Sequence, residues 1–68
     1  MMKRTVYASD KVAHINFKEE LNAQSIETVC KRHGLKYDLD DMYNIDIYAE
    51  DEDPAEIEEW SPVATLED

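Results

Sequence analysis

No lysine or arginine follows Lys36 in this chain of 68 residues. Residues 38–68 carry 13 carboxylates and no base, a net of −13. Residues 1–37 carry 7 cations against 4 carboxylates, a net of +3, so the halves sum to −10. A block of like charge this dense is either a solvated tail or a surface held on a scaffold, and the apolar residues within it decide which. Asn44–Glu50 alternates: Ile45, Ile47 and Ala49 fall on one side, and Asn44, Asp46, Tyr48 and Glu50 on the other. That period of two predicts a half-buried strand, with its acids on a folded face.

The flanks of this strand carry stop and start signals. Leu35, Tyr37 and Leu39 alternate with Lys36 and Asp38, an extended pattern, and Asp40 and Asp41 then suggest a turn. Asp53-Pro54-Ala55-Glu56 reads as a helix start: Asp53 caps, Pro54 suits the first helical position and Glu56 takes the capping-box position. Ile57 and Trp60 would form the apolar side of that short helix, and Pro62 would end it. Residues 63–68 are expected to be a loose acidic tail.

The N-terminal half predicts a hairpin followed by a helix. Residues 4–17, RTVYASDKVAHINF, are rich in strand formers. A turn at Asp10–Lys11 would set Val6 opposite Ile15 and Arg4 opposite Phe17, although a longer loop around Ser9–Lys11 is equally consistent, because no Gly specifies the turn. Phe17 and Leu21, four apart, suit a short helical turn that buries both. Ser25 then caps a helix with Ile26, Val29 and Cys30 as its apolar stripe, though Asn22 is an alternative cap one turn earlier. Lys31, Arg32 and His33 suit its last turn, and Gly34 followed by Leu35 suits a left-handed ending of the Schellman type. The expected fold class is therefore α+β. It has a small, mainly antiparallel sheet (the N-terminal hairpin plus a third strand), a central helix and a short C-terminal helix, all within a single domain at residues 1–62.

Chemistry-bearing motifs are sparse. The single Cys30 excludes an internal disulfide, and Cys and His do not cluster as zinc ligands do. With a lone glycine there is no phosphate-binding loop. An EF-hand started at Asp38 keeps its second ligand, Asp40, then meets Met42, Tyr43 and Ala49 where oxygen, glycine and glutamate are required. Ser25–Leu35 could serve as the first helix of a helix-turn-helix, but the next segment is acidic and strand-like where the recognition helix belongs. No nucleophile–base pair stands out, so neither an enzyme nor a cofactor or metal site is expected.

What remains is charge. A net of −10 opposes direct binding to nucleic acid or anionic membrane and favours a cationic protein. No apolar run approaches the ~20 residues of a membrane span and no secretory signal is visible, so a cytoplasmic setting is expected. Duplex DNA presents about one charge per 1.7 Å of axis, and a rigid acidic face can compete with it for a basic groove. The commoner role of a charge run is simply solubilising surface. The expected function is an acidic, non-enzymatic inhibitor or regulator that mimics nucleic acid on a basic, nucleic-acid-handling partner. Small inhibitors from phages and mobile elements are often of this physical type, an analogy of class alone. The candidate partner-binding residues are Asp38, Asp40, Asp41, Asp46, Tyr48, Glu50, Asp51, Glu52, Asp53, Glu56 and Glu59. Tyr48 or Met42 would add apolar contact, while Trp60 and Tyr37 are read as core. The alternative is an assembly module, a homodimer pairing its acidic half with Lys31, Arg32 and Lys36 of a neighbour.

Overall fold

In a computed structural model that describes residues 3–40 and 43–67, β1 (Lys3–Ser9) runs through the middle of a sheet and has no hairpin partner in the segment that follows it. Residues 10–15 coil through turns, in which the Val12 N–H donates to the Ser9 carbonyl and the Ile15 N–H to the Val12 carbonyl. Phe17 then opens helix α1 (Phe17–Ala23), with Glu19 and Glu20 in its first turn. The expected N-terminal hairpin is thus replaced by a strand, a turn and a helix. Phe17 and Leu21 favour this outcome: on a helix both reach one side, and both are buried. As a strand residue, Phe17 would sit opposite the charged Arg4.

Helix α2 (Ile26–His33) follows the local signals closely. Ser25 Oγ accepts from the Thr28 N–H at 3.2 Å, and Gly34 takes φ 68 with its N–H on the Cys30 and Lys31 carbonyls. Val29 and Cys30 are its buried residues. Strands β2 (Leu35–Leu39) and β3 (Ile45–Ala49) then pair antiparallel, with Tyr37 opposite Ile47 and Leu39 opposite Ile45. In the connecting loop Asp40 accepts twice, its carbonyl from the Tyr43 N–H and its Oδ1 from the Asn44 N–H. That supports the turn expected at Asp40. Asp41 and Met42 lie outside the described residues.

β3 returns beside β1 in the same direction, with Val6 opposite Ile45 and Ala8 opposite Ile47. The sheet order is β2-β3-β1-β4 and its central pair is parallel, so the sheet is mixed and not mainly antiparallel. The expected C-terminal helix is reduced to one 3-10 turn at Pro54–Glu56, capped by Asp53 as its sequence signals require. Strand β4 (Trp60–Glu67) takes up the rest, including residues 63–67 that were expected to be tail. A helix through Glu58 and Glu59 would end with two acids at its negative pole and has only Ile57 and Trp60 to bury, too little to offset nucleation. Val63 and Thr65 favour extension, and Pro62 is tolerated because β4 is an edge strand with a register shift at that point.

The helices cover one side of the sheet. Val6, Ala8, Ile45 and Ile47 meet Val12, Phe17, Leu21, Val29 and Cys30 in a single cluster, all nearly inaccessible. Among the described residues no helix is long and apolar enough to cross a membrane.

Candidate functional site: an acidic sheet face and its cleft

The side of the sheet turned away from the helices carries the residues that alternate with the core. On β3 these are Asp46 and Tyr48, on β2 Lys36 and Asp38, and on β1 Tyr7. Tyr48 lies on the face that alternation assigned to it, yet it is only 7 % exposed and stands outside the helix-side core cluster. Its ring meets Trp60 edge-on, with centroids 6.5 Å apart and planes at 84°. Its hydroxyl donates to Asp38 Oδ2 at 3.0 Å. Tyr48 is therefore a second, small core on the open face, not an outward anchor. Burial raises its pKa, with the Asp38 hydrogen bond and the charges of Asp38 and Asp53 adding to the rise. Trp60, expected in the main core, belongs with Tyr48 instead.

Asp38 and Asp46 are direct cross-strand partners. Such pairs hold their Cβ atoms about 5 Å apart, and like charges there are destabilising. Burial raises the pKa of Asp46, and the carboxylates of Asp40 and Asp38 push it further. The folded chain therefore holds this proton more tightly than the unfolded chain. The stability Asp46 contributes is fully present below the ordinary carboxyl value of 3.8 and is lost as pH rises through the raised folded value. Replacing it should remove that penalty: Asp46→Asn is expected to raise stability at pH 7 by about 0.2–1 kcal/mol, the range for a cross-strand pair, read by urea unfolding. The gain should shrink as pH is lowered toward 4. A loss of stability at pH 7 would refute this account.

The remaining acids follow β3 in a loop that packs back on the end of β1. Glu52 anchors it: Oε1 accepts from the Ser9 hydroxyl at 2.6 Å and from the Ala49 N–H at 2.8 Å. Asp51 pairs with Lys11 at 2.6 Å. The hydrogen bond from Lys11 and its positive charge lower the pKa of Asp51, and the same contact raises that of Lys11. Both groups are at the surface, where such pairs contribute little. Asp53 Oδ1 accepts from the Ala55 N–H at 3.0 Å.

Between this loop and the end of β1 lies an open cleft of about 620 Å³, lined by Ser9, Asp10, Lys11, Asp51, Glu52, Asp53, Glu56, Ile57, Glu58 and Glu59. Seven of the ten are carboxylates and one is a cation. The acids expected to act together are thus distributed in two groups. Asp38, Asp40 and Asp46 interact on the sheet face, and Asp51, Glu52, Asp53, Glu56 and Glu59 line the cleft. The charge of Asp53 reaches Tyr48 and so links the groups. Glu50 is exposed at the turn that ends β3 and does not line the cleft. Ser9, Asp10, Lys11, Ile57 and Glu58 line the cleft without being among the expected site residues. The first three depend on where β1 ends relative to a loop some 40 residues away, for which no local pattern exists. Ile57 and Glu58 lie in the short segment between the Pro54–Glu56 turn and β4, flanked by the expected site residues Glu56 and Glu59.

Other reactive groups lie elsewhere. Among the described residues no group of three or more His, Cys, Asp or Glu side chains is arranged to hold a metal ion. His33 Nε2 contacts both carboxylate oxygens of Glu20, at 2.9 and 2.8 Å, and so ties α2 to α1. Cys30 is 2 % exposed, and burial pushes its thiol pKa up to about 11. The thiolate is the reactive form, so Cys30 should react with a disulfide reagent at neutral pH at least about 100-fold more slowly than in urea-unfolded chain. Equal rates in native and unfolded protein would contradict its burial.

No protein-family model matches the chain, and no curated protein or solved structure is found to be similar to it.

Proposed function

We propose that this protein is an acidic interaction module, without catalytic chemistry of its own, that occupies a basic, nucleic-acid-binding surface of a partner protein. The observation that carries this reading is the cleft, where seven carboxylates converge around the single cation Lys11. Two of these acids are held in place by the fold, Glu52 by Ser9 and Ala49 and Asp53 by Ala55. A preorganised set of charges loses less conformational freedom on binding than a flexible acidic tail would. Asp38 and Asp46 extend the negative surface along the sheet. Lysine and arginine side chains spaced to grip phosphates are the complement of such a surface.

Charge-driven recognition has a salt signature. The Debye length falls from about 10 Å at 0.1 M salt to about 3 Å at 1 M. Immobilised protein exposed to a nuclease-treated cell extract is expected to retain basic nucleic-acid-binding proteins, release them over this salt range and lose them to added duplex DNA. Retention indifferent to both salt and DNA would overturn the reading.

A further inference from the structure

The β2 edge of the sheet has a self-complementary sequence, and we infer that two copies of the chain pair through it, β2 against β2, to make one continuous sheet. β2 is the first strand in the order β2-β3-β1-β4, so among the described residues its outer edge has no partner. The Asp40 N–H donates to the Asn44 carbonyl across the β2–β3 ladder. With a period of two, Asp38 and Lys36 also direct their backbone groups to β3, and Leu35, Tyr37 and Leu39 direct theirs outward.

An antiparallel pairing centred on Tyr37 uses those outward groups. Tyr37 meets its own copy, and Leu35 meets Leu39 of the second copy, each pair exchanging both N–H···O=C bonds. Lys36 then falls opposite the second copy's Asp38, and Asp38 opposite its Lys36. Both are non-hydrogen-bonded pairs, the class in which side chains approach most closely. The two-fold symmetry makes both charge pairs favourable at once, as an isologous contact requires. Leu39, one of the large apolar side chains left exposed at 57 %, is covered by the second copy's Leu35. The other edge is less suited, because Pro62 in β4 has no N–H and its strand carries a register shift. The two-fold axis stands perpendicular to the sheet, so both open faces, with Asp38 and Asp46, lie on the same side of the dimer.

The test is a charge swap read by sedimentation equilibrium at 0.15 M salt. Wild type is expected to be a concentration-dependent dimer. Lys36→Asp places acid against acid and Asp38→Lys places base against base, so each alone should raise the dissociation constant by about tenfold or more. The double variant Lys36→Asp/Asp38→Lys restores opposite charges in both pairs and should restore dimerisation. Circular dichroism of each variant checks that the monomer remains folded. A wild-type monomer at all concentrations, a dimer indifferent to the single reversals, or a double variant no better than the singles would each overturn the inference. The triple substitution Glu56→Gln/Glu58→Gln/Glu59→Gln, in a cleft that no β2 residue lines, is expected to leave this equilibrium unchanged, so failure of the charge swap and failure of the cleft as a binding surface are distinguishable.

Discussion

Phe17→Ala is expected to leave the chain largely unfolded at 25 °C. Phe17 is 1 % exposed and is among the largest side chains fully buried, at the first position of α1 and in one core cluster with Val6, Ala8, Ile45 and Ile47 of the sheet. Truncating a buried phenylalanine removes its transfer free energy and leaves a cavity, together about 3–5 kcal/mol. A domain of this size holds only about 3–5 kcal/mol from one hydrophobic core. Without an internal disulfide, nothing covalent limits the unfolded chain, and the loss should take up most of the margin. Phe17→Leu keeps much of the volume and should cost less than half as much. Urea unfolding followed by circular dichroism separates the two. A cooperative transition for Phe17→Ala at nearly the wild-type midpoint would show that α1 is not part of the stabilising core.

The second large effect is on binding. The triple variant Glu56→Gln/Glu58→Gln/Glu59→Gln is expected to weaken the proposed association with a basic partner by about 10–100-fold at 0.15 M salt, and to flatten its salt dependence. All three are exposed, and none is the side chain that caps the Pro54–Glu56 turn, so the fold should tolerate the change. Glu19→Gln/Glu27→Gln removes two carboxylates from exposed positions on the helix layer and serves as the control. It should leave affinity within about twofold if the cleft is what binds. Weakening by both sets in proportion to the three and two charges they remove would mean that net charge, not the arrangement in the cleft, drives association.

Local sequence signals located most elements that depend on near neighbours. Ser25 and Gly34 bound α2, Asp53 caps its turn, and the alternation of Ile45, Ile47 and Ala49 assigns the core side of β3. Each of these rests on interactions spanning a few residues, where one side-chain type has one dominant use. The candidate site was legible in composition, since the acids are plain to see, but not in geometry. Tyr48 illustrates the gap: alternation places it on the open face, and only the position of Trp60 across the sheet determines that it is buried there.

What the sequence determined by itself is the class of object: a short, strongly acidic α+β chain whose charge is carried by its second half and held among strand-forming residues. The tertiary structure decided which strands are neighbours. Val6 and Ala8 specify a buried face for β1 but not its partners, because any strand with alternating apolar residues satisfies that face equally. The choice went to β3 and β4 over the adjacent 11–17 segment. Phe17 and Leu21 bury more completely as a helix laid on the sheet, and the Val63–Leu66 segment is left free to close the far edge. The cleft exists for the same reason. It forms where the end of β1 meets the acidic loop, and that meeting is set by burial summed over distant residues, which no local pattern encodes.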